Sequence, residues 1–117
     1  MVDGDKDDDV TATWRSSAWV EVSEEPGTLI LRLAGELDME SVRVVASAVM
    51  AAIPTAGAVV LDLGGLTFCD SSGIGMLAAA HRKASGEGTV LTVSNVPPVV
   101  ARVLTISGMD QVLTITE

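Results

Sequence analysis

Aromatic side chains are nearly missing from this chain, which has two Trp, one Phe and no Tyr among its 117 residues. Its core must then be assembled from Val, Leu, Ile, Ala and Met, as in compact α/β domains. Cysteine is represented by Cys69 alone. That excludes an internal disulfide and a Cys-rich zinc site, and it fits a reducing compartment. Histidine is also single, His81, which excludes a histidine-based metal site of ordinary composition. Seven basic residues stand against sixteen acidic ones, a net charge of −9. Phosphate neutralisation needs clustered Lys and Arg, so no direct nucleic-acid partner is expected; a basic protein surface is favoured instead. No apolar run approaches the roughly 18–20 residues that span a bilayer, and Arg43 interrupts the longest candidate, 39–53. The opening Met-Val-Asp-Gly-Asp-Lys-Asp-Asp-Asp has neither the positive start nor the apolar run of a secretory signal. A cytoplasmic protein with no membrane partner is expected.

What is present reads as one α/β domain, long enough to bury a core without staples. Residues 1–13 combine Asp-rich charge with no apolar periodicity, so a disordered acidic tail is expected there, with the domain in 14–117. Strands are expected at 18–23 and 28–34, joined as a hairpin by Glu24-Glu25-Pro26-Gly27. Gly35-Glu36-Leu37-Asp38 should break the second strand. Asp38 is then placed to cap a helix with the apolar stripe Met39, Val42, Val45, Ala46, Val49 and Ile53, ended by Pro54 and Gly57. A buried strand over 58–63 should stop at Gly64-Gly65. A second helix follows to about residue 85, then a strand over 89–93. A third helix is set up by Pro97 and Pro98 and runs to Gly108, and a closing strand over 112–115 completes the order. The expected architecture is a mixed, mostly parallel sheet of about five strands with helices mainly on one face.

The chemistry concentrates between 58 and 81. Asp70, Ser71 and Ser72 all accept hydrogen bonds from free N–H groups at a helix start, while Ile74, Leu77, Ala78 and His81 recur at helical spacing. Capping alone accounts for such a segment, and either serine could cap while the other faces outward. Gly73-Ile74-Gly75 lacks the third glycine and the Lys-Ser/Thr of a phosphate loop. Cys69 or a serine could act as nucleophile only beside a base, yet His81 lies about three turns along the helix, some 15 Å at ~1.5 Å per residue. The Gly-x-Ser-x-Gly spacing of a nucleophile elbow is also absent. Cys69 therefore reads as a small buried apolar residue.

Four segments together carry a resemblance: Gly-Glu-Leu-Asp at 35–38, Val-Val-Leu-Asp-Leu at 59–63, Leu-Thr-Phe-Cys-Asp-Ser-Ser-Gly-Ile-Gly-Met-Leu at 66–77, and Ile-Ser-Gly-Met at 106–109. The chain resembles the STAS domain family, specifically the bacterial anti-sigma factor antagonists. The resemblance implies a STAS-like fold and a non-enzymatic phospho-switch without a cofactor. Its partners would be an anti-sigma factor that is also a serine kinase, and a serine phosphatase. The unphosphorylated form would bind the kinase and release a sigma factor. Phosphorylation on the hydroxyl after the motif aspartate, Ser71, would switch it off, with Ser72 as the alternative acceptor. The partner-binding patch would be the exposed rim of Asp38, Asp70, Ser71, Ser72, Gly73 and Met76. Cys69 departs from the family pattern, which favours an aliphatic residue there, and leaves redox sensitivity open. A reading of another class is a nucleotide- or ligand-sensing scaffold module that is not phosphorylated.

Overall fold

In the computed structural model, which describes residues 17–116, side-chain alternation gives the sheet two unlike faces. β1 (Ala18–Glu25) and β2 (Thr28–Leu37) form the expected hairpin, and Gly27 supplies its turn with φ +78. Then come α1 (Val42–Ala52), a 3₁₀ turn (Ile53–Thr55), β3 (Ala58–Cys69), α2 (Ser71–Glu87), β4 (Val90–Ser94), α3 (Pro98–Ser107) and a second 3₁₀ turn (Met109–Gln111). The sheet order is β1-β2-β3-β4, antiparallel in the hairpin and parallel thereafter. The expected tail and Trp14 lie outside the described residues.

Leu31, Leu61 and Val93 align across β2, β3 and β4 on one face, and Arg32, Asp62 and Ser94 align on the other. The first face is closed by all three helices: it shares one buried cluster with Val45 and Val49 of α1, Leu77 and Ala80 of α2, and Val100 and Leu104 of α3. Each fully buried Leu or Val contributes roughly 1.5–3 kcal/mol of transfer free energy. Ile30 and Val60, on the second face, lie outside that cluster. Among the described residues no helix covers this second face, and none is long and apolar enough to cross a membrane.

Four expectations need correction. β3 continues through Gly64-Gly65 for twelve residues rather than stopping there. These glycines permit close approach: a Cβ at Gly65 would sit 2.7 Å from that of Ala34. β2 likewise runs past Gly35, whose φ of +95 and proximity to the Ser17 carbonyl, 2.1 Å from an added Cβ, mark an irregularity in the strand rather than its end. Among the described residues the sheet has four strands, not five. Helical bonding persists to Leu113, whose N–H donates to the Met109 carbonyl at 2.9 Å, so the closing segment retains only one parallel bridge, Ile115 to Val93. Finally, Met39 is 76% exposed because α1 begins three residues later than its apolar pattern suggests.

Candidate functional site

The carboxyl ends of β2 and β3 lie side by side, where functional groups collect in open α/β sheets. The Asp70 N–H donates to the Leu37 carbonyl at 3.1 Å, joining the residue before α2 to the end of β2. Asp70 itself is the N-cap of α2. Its Oδ1 accepts from the Ser72 N–H at 2.9 Å and also from the Ser72 hydroxyl. Its carbonyl accepts from the Gly73 and Ile74 N–H groups. Ser72 is thus tied twice to one carboxylate. Ser71 is exposed, and among the described residues its hydroxyl has no hydrogen-bond partner. It stands at the first position of a 17-residue helix, where the backbone dipoles favour negative charge.

Asp38 lies at the other end of the rim. Its Oδ1 accepts from the Ser41 N–H at 2.9 Å and the Glu40 N–H at 3.1 Å, while the Ser41 hydroxyl oxygen accepts from the Asp38 N–H at 3.0 Å. This is a reciprocal cap, Asp-x-x-Ser, holding the turn before α1. The bonds from Ser41 come first among the causes that hold the Asp38 carboxyl below its ordinary range. Ser41 is the residue that sequence reasoning missed. Only 2% exposed, it also donates its hydroxyl to the Glu36 carbonyl at 2.7 Å. The spacing to Asp38 was the available signal.

The rim therefore brings together Asp38, Asp70, Ser71 and Ser72. It does not expose Gly73 or Met76, both expected on it. The helical period turns 73, 74, 76 and 77 toward the sheet, and Met76 is 5% exposed in the core. A Cβ at Gly73 would lie 2.6 Å from the Cys69 Sγ and 2.9 Å from the Leu37 Cδ2. Glycine lets the first turn of α2 rest directly on the ends of β2 and β3. Gly73→Ala should destabilise the domain by about 1–3 kcal/mol through overpacking, although Ala is the better helix former. Gly75→Ala is the matched control, since Gly75 is exposed and an added Cβ meets nothing within 4 Å. It should be neutral or stabilise by up to about 1 kcal/mol. Urea unfolding of both variants compares the two signs.

Cys69 is buried beneath this turn, with its thiol donating to the Asp70 carbonyl at 3.6 Å. Burial, reinforced by the Asp70 charge, pushes the thiol up to about 11. At neutral pH it is a thiol rather than the reactive thiolate. Cys69 should therefore resist iodoacetamide in the folded protein and react once denaturant unfolds it, as followed by intact mass. Rapid labelling of the folded chain would reopen a redox role. His81 is half-buried, ten residues beyond Ser71 on the same helix.

The family model described as "Mlab, STAS domain" matches residues 20–115. An anti-sigma F factor antagonist of Paenibacillus polymyxa is 34% identical over 98 residues, covering 82% of this chain and 84% of that protein. Another, of Lysinibacillus sphaericus, is 32% identical over 84 residues, covering 70% and 72%. The crystal structure of an anti-sigma factor antagonist from Mycobacterium paratuberculosis matches with a TM-score of 0.78 at 27% identity, covering 85% of each chain. With 96 of its residues inside the family model and this fold around the Asp70-Ser71 rim, the chain belongs to the STAS domain family, whose members include the anti-sigma factor antagonists.

Proposed function

We propose that this chain is a cytoplasmic anti-sigma factor antagonist, switched off by phosphorylation of Ser71. The observation that carries this reading is the contrast between two neighbouring hydroxyls: Ser72's is engaged by Asp70, and Ser71's is exposed and unpartnered at a helix N-terminus. The anti-sigma factor, acting as a serine kinase, transfers the γ-phosphoryl group of ATP to the Ser71 Oγ: the bond to the β,γ-bridging oxygen breaks, ADP leaves, and the hydroxyl proton passes to a base of the kinase. A serine phosphatase hydrolyses the phosphoserine with water, releasing inorganic phosphate and returning the hydroxyl. The chain is substrate and not catalyst in both steps, since the imidazole of His81 is about three turns away from Ser71.

Phosphate adds about −1.5 to −2 charges and three strong acceptors. At the first turn of α2 the chain tolerates that charge. Outward, it places a hydrated anion where the partner docks, beside the carboxylates of Asp70 and Asp38. Binding weakens while the fold survives. The docking rim is Asp38, Asp70, Ser71 and Ser72, with Gly73 and Met76 supporting it from beneath. The name of the P. polymyxa relative supports the choice of partner.

The test is reconstitution. Added to a purified complex of a sigma factor with its anti-sigma factor, the unmodified chain should free the sigma factor, and ATP should make that release transient. Failure to displace any sigma factor from the anti-sigma factors of the same organism would remove the reading.

A further inference from the structure

The described residues contain two aromatic side chains, Trp19 and Phe68, and neither is in the core. Trp19 is 53% and Phe68 45% exposed. Both project from the face of the sheet that no helix covers among the described residues. Trp19 pairs with Ala34, while its neighbour Ala18 is fully buried on the helix side. Phe68 pairs with Glu36, while the next pair, Leu37 and Cys69, is buried on the helix side. A fold that needed these rings for stability would bury the 150–250 Å² each can offer. Exposed at one end of one face, they have the composition of an interface centre rather than of scattered surface apolar residues.

The ground between and beside them is shaped for contact. A groove of about 380 Å³ runs along this face, bordered by Trp19 and floored by Ala34, Gly64 and Gly65, where the absence of side chains brings backbone within reach. Among the described residues that line it the one cation is already engaged: Arg32 donates to the Ser23 hydroxyl at 3.1 Å and lies 3.7 Å from Asp62. Asp62 in turn accepts from the Asn95 side chain at 3.0 Å and the Gly64 N–H at 2.9 Å. Glu21, Glu25 and Glu36, all exposed, leave the face acidic. A second copy of the chain would bring the same carboxylates and another −9 charges, so charge complementarity selects a basic partner.

The face is also continuous with the rim. Phe68 is three residues from Ser71, so their Cα atoms are within about 11 Å. Ser17, just before β1, donates its hydroxyl to the Glu36 carbonyl at 3.2 Å and to Asp38 at 3.5 Å. We infer that the anti-sigma factor grips the chain beyond Ser71, its contact continuing onto the uncovered sheet face with Trp19 and Phe68 as anchors. The surface it presents there is an apolar hollow ringed by Arg or Lys. This inference rests on the partner assigned under Proposed function.

The experiment titrates the purified anti-sigma factors of the same organism against the full-length chain and its variants. Trp19→Ala and Phe68→Ala should each weaken binding at least 10-fold, whereas Ile106→Ala, which removes the 79% exposed side chain on α3, should change it less than 2-fold. In a Trp14→Phe background the emission of Trp19 should move to shorter wavelength on binding, a readout that no folding defect of a Trp19 variant can mimic. Trp19→Ala binding within 2-fold of the parent, with no emission shift, overturns the inference. If Ser71→Glu still abolishes binding in that case, the Proposed function stands. If Phe68→Ala alone weakens binding, contact ends at the rim and the extension is overturned. If no anti-sigma factor binds the parent chain, the reading beneath the inference fails and takes the inference with it.

Discussion

With Ser71 replaced by Ala, an anti-sigma factor kinase supplied with ATP should transfer no phosphate to the chain, while Ser72→Ala is still phosphorylated. The difference follows from hydrogen bonding. The Ser72 hydroxyl donates to Asp70 Oδ1, so its oxygen is oriented by the cap and its proton is committed. The Ser71 hydroxyl is free to turn into a kinase site. Ser72→Ala loses that bond, a cost of about 0.5–1.5 kcal/mol. It keeps the capping bond from its own N–H to Asp70, so α2 still starts at the same place. Ser71→Ala should also keep its affinity for the kinase, because the methyl group adds neither bulk nor charge. Intact-mass spectra of the three chains after incubation read the result directly. Transfer that persists in Ser71→Ala and disappears in Ser72→Ala would move the acceptor by one residue and remove the role given to the free hydroxyl.

The second large effect separates docking from folding. Ser71→Glu should bind the anti-sigma factor roughly 100-fold more weakly, or about 2.7 kcal/mol, with an unchanged or slightly raised melting temperature. A carboxylate in the first turn of a helix is favourable by about 0.3–1 kcal/mol. The same carboxylate facing a partner must be desolvated beside Asp70 and Asp38, and unfavourable charge placement at an interface costs several kcal/mol. Ser71→Gln, of nearly equal size, should fall between the parent and Ser71→Glu. If Gln weakens binding as much as Glu, bulk rather than charge operates the switch.

The start of α2 was legible because caps and helical periodicity are local. Asp70, two serines and an apolar stripe need no long-range information, and the hairpin turn at Pro26-Gly27 is local in the same way. The glycines were harder. Gly64-Gly65 look like a strand terminus in sequence, and only the closeness of Ala34 in the neighbouring strand shows why they occur within β3. Ending the strand at Gly64-Gly65 also hid Phe68, which lies in the part of β3 beyond them. Alternation from Leu61 and Leu63 places 65, 67 and 69 toward the core; Cys69 obeys it, while Leu66 is buried out of phase because the β2–β3 register shifts twice. Gly73 and Met76 are expected on the rim as part of the patch that the resemblance implies, although the helical period sends them inward. The closing strand was lost to a 3₁₀ turn whose bonds no apolar pattern reveals.

The most direct measurement is the affinity of one anti-sigma factor for the full-length chain before and after stoichiometric phosphorylation, with the melting temperature of both forms taken alongside. The expected result is an affinity loss of about 100-fold, about 2.7 kcal/mol, with melting temperatures within a few degrees of each other. Equal affinity of the two forms would contradict the switch at Ser71, and so would an affinity loss that appears only because the phosphorylated domain unfolds.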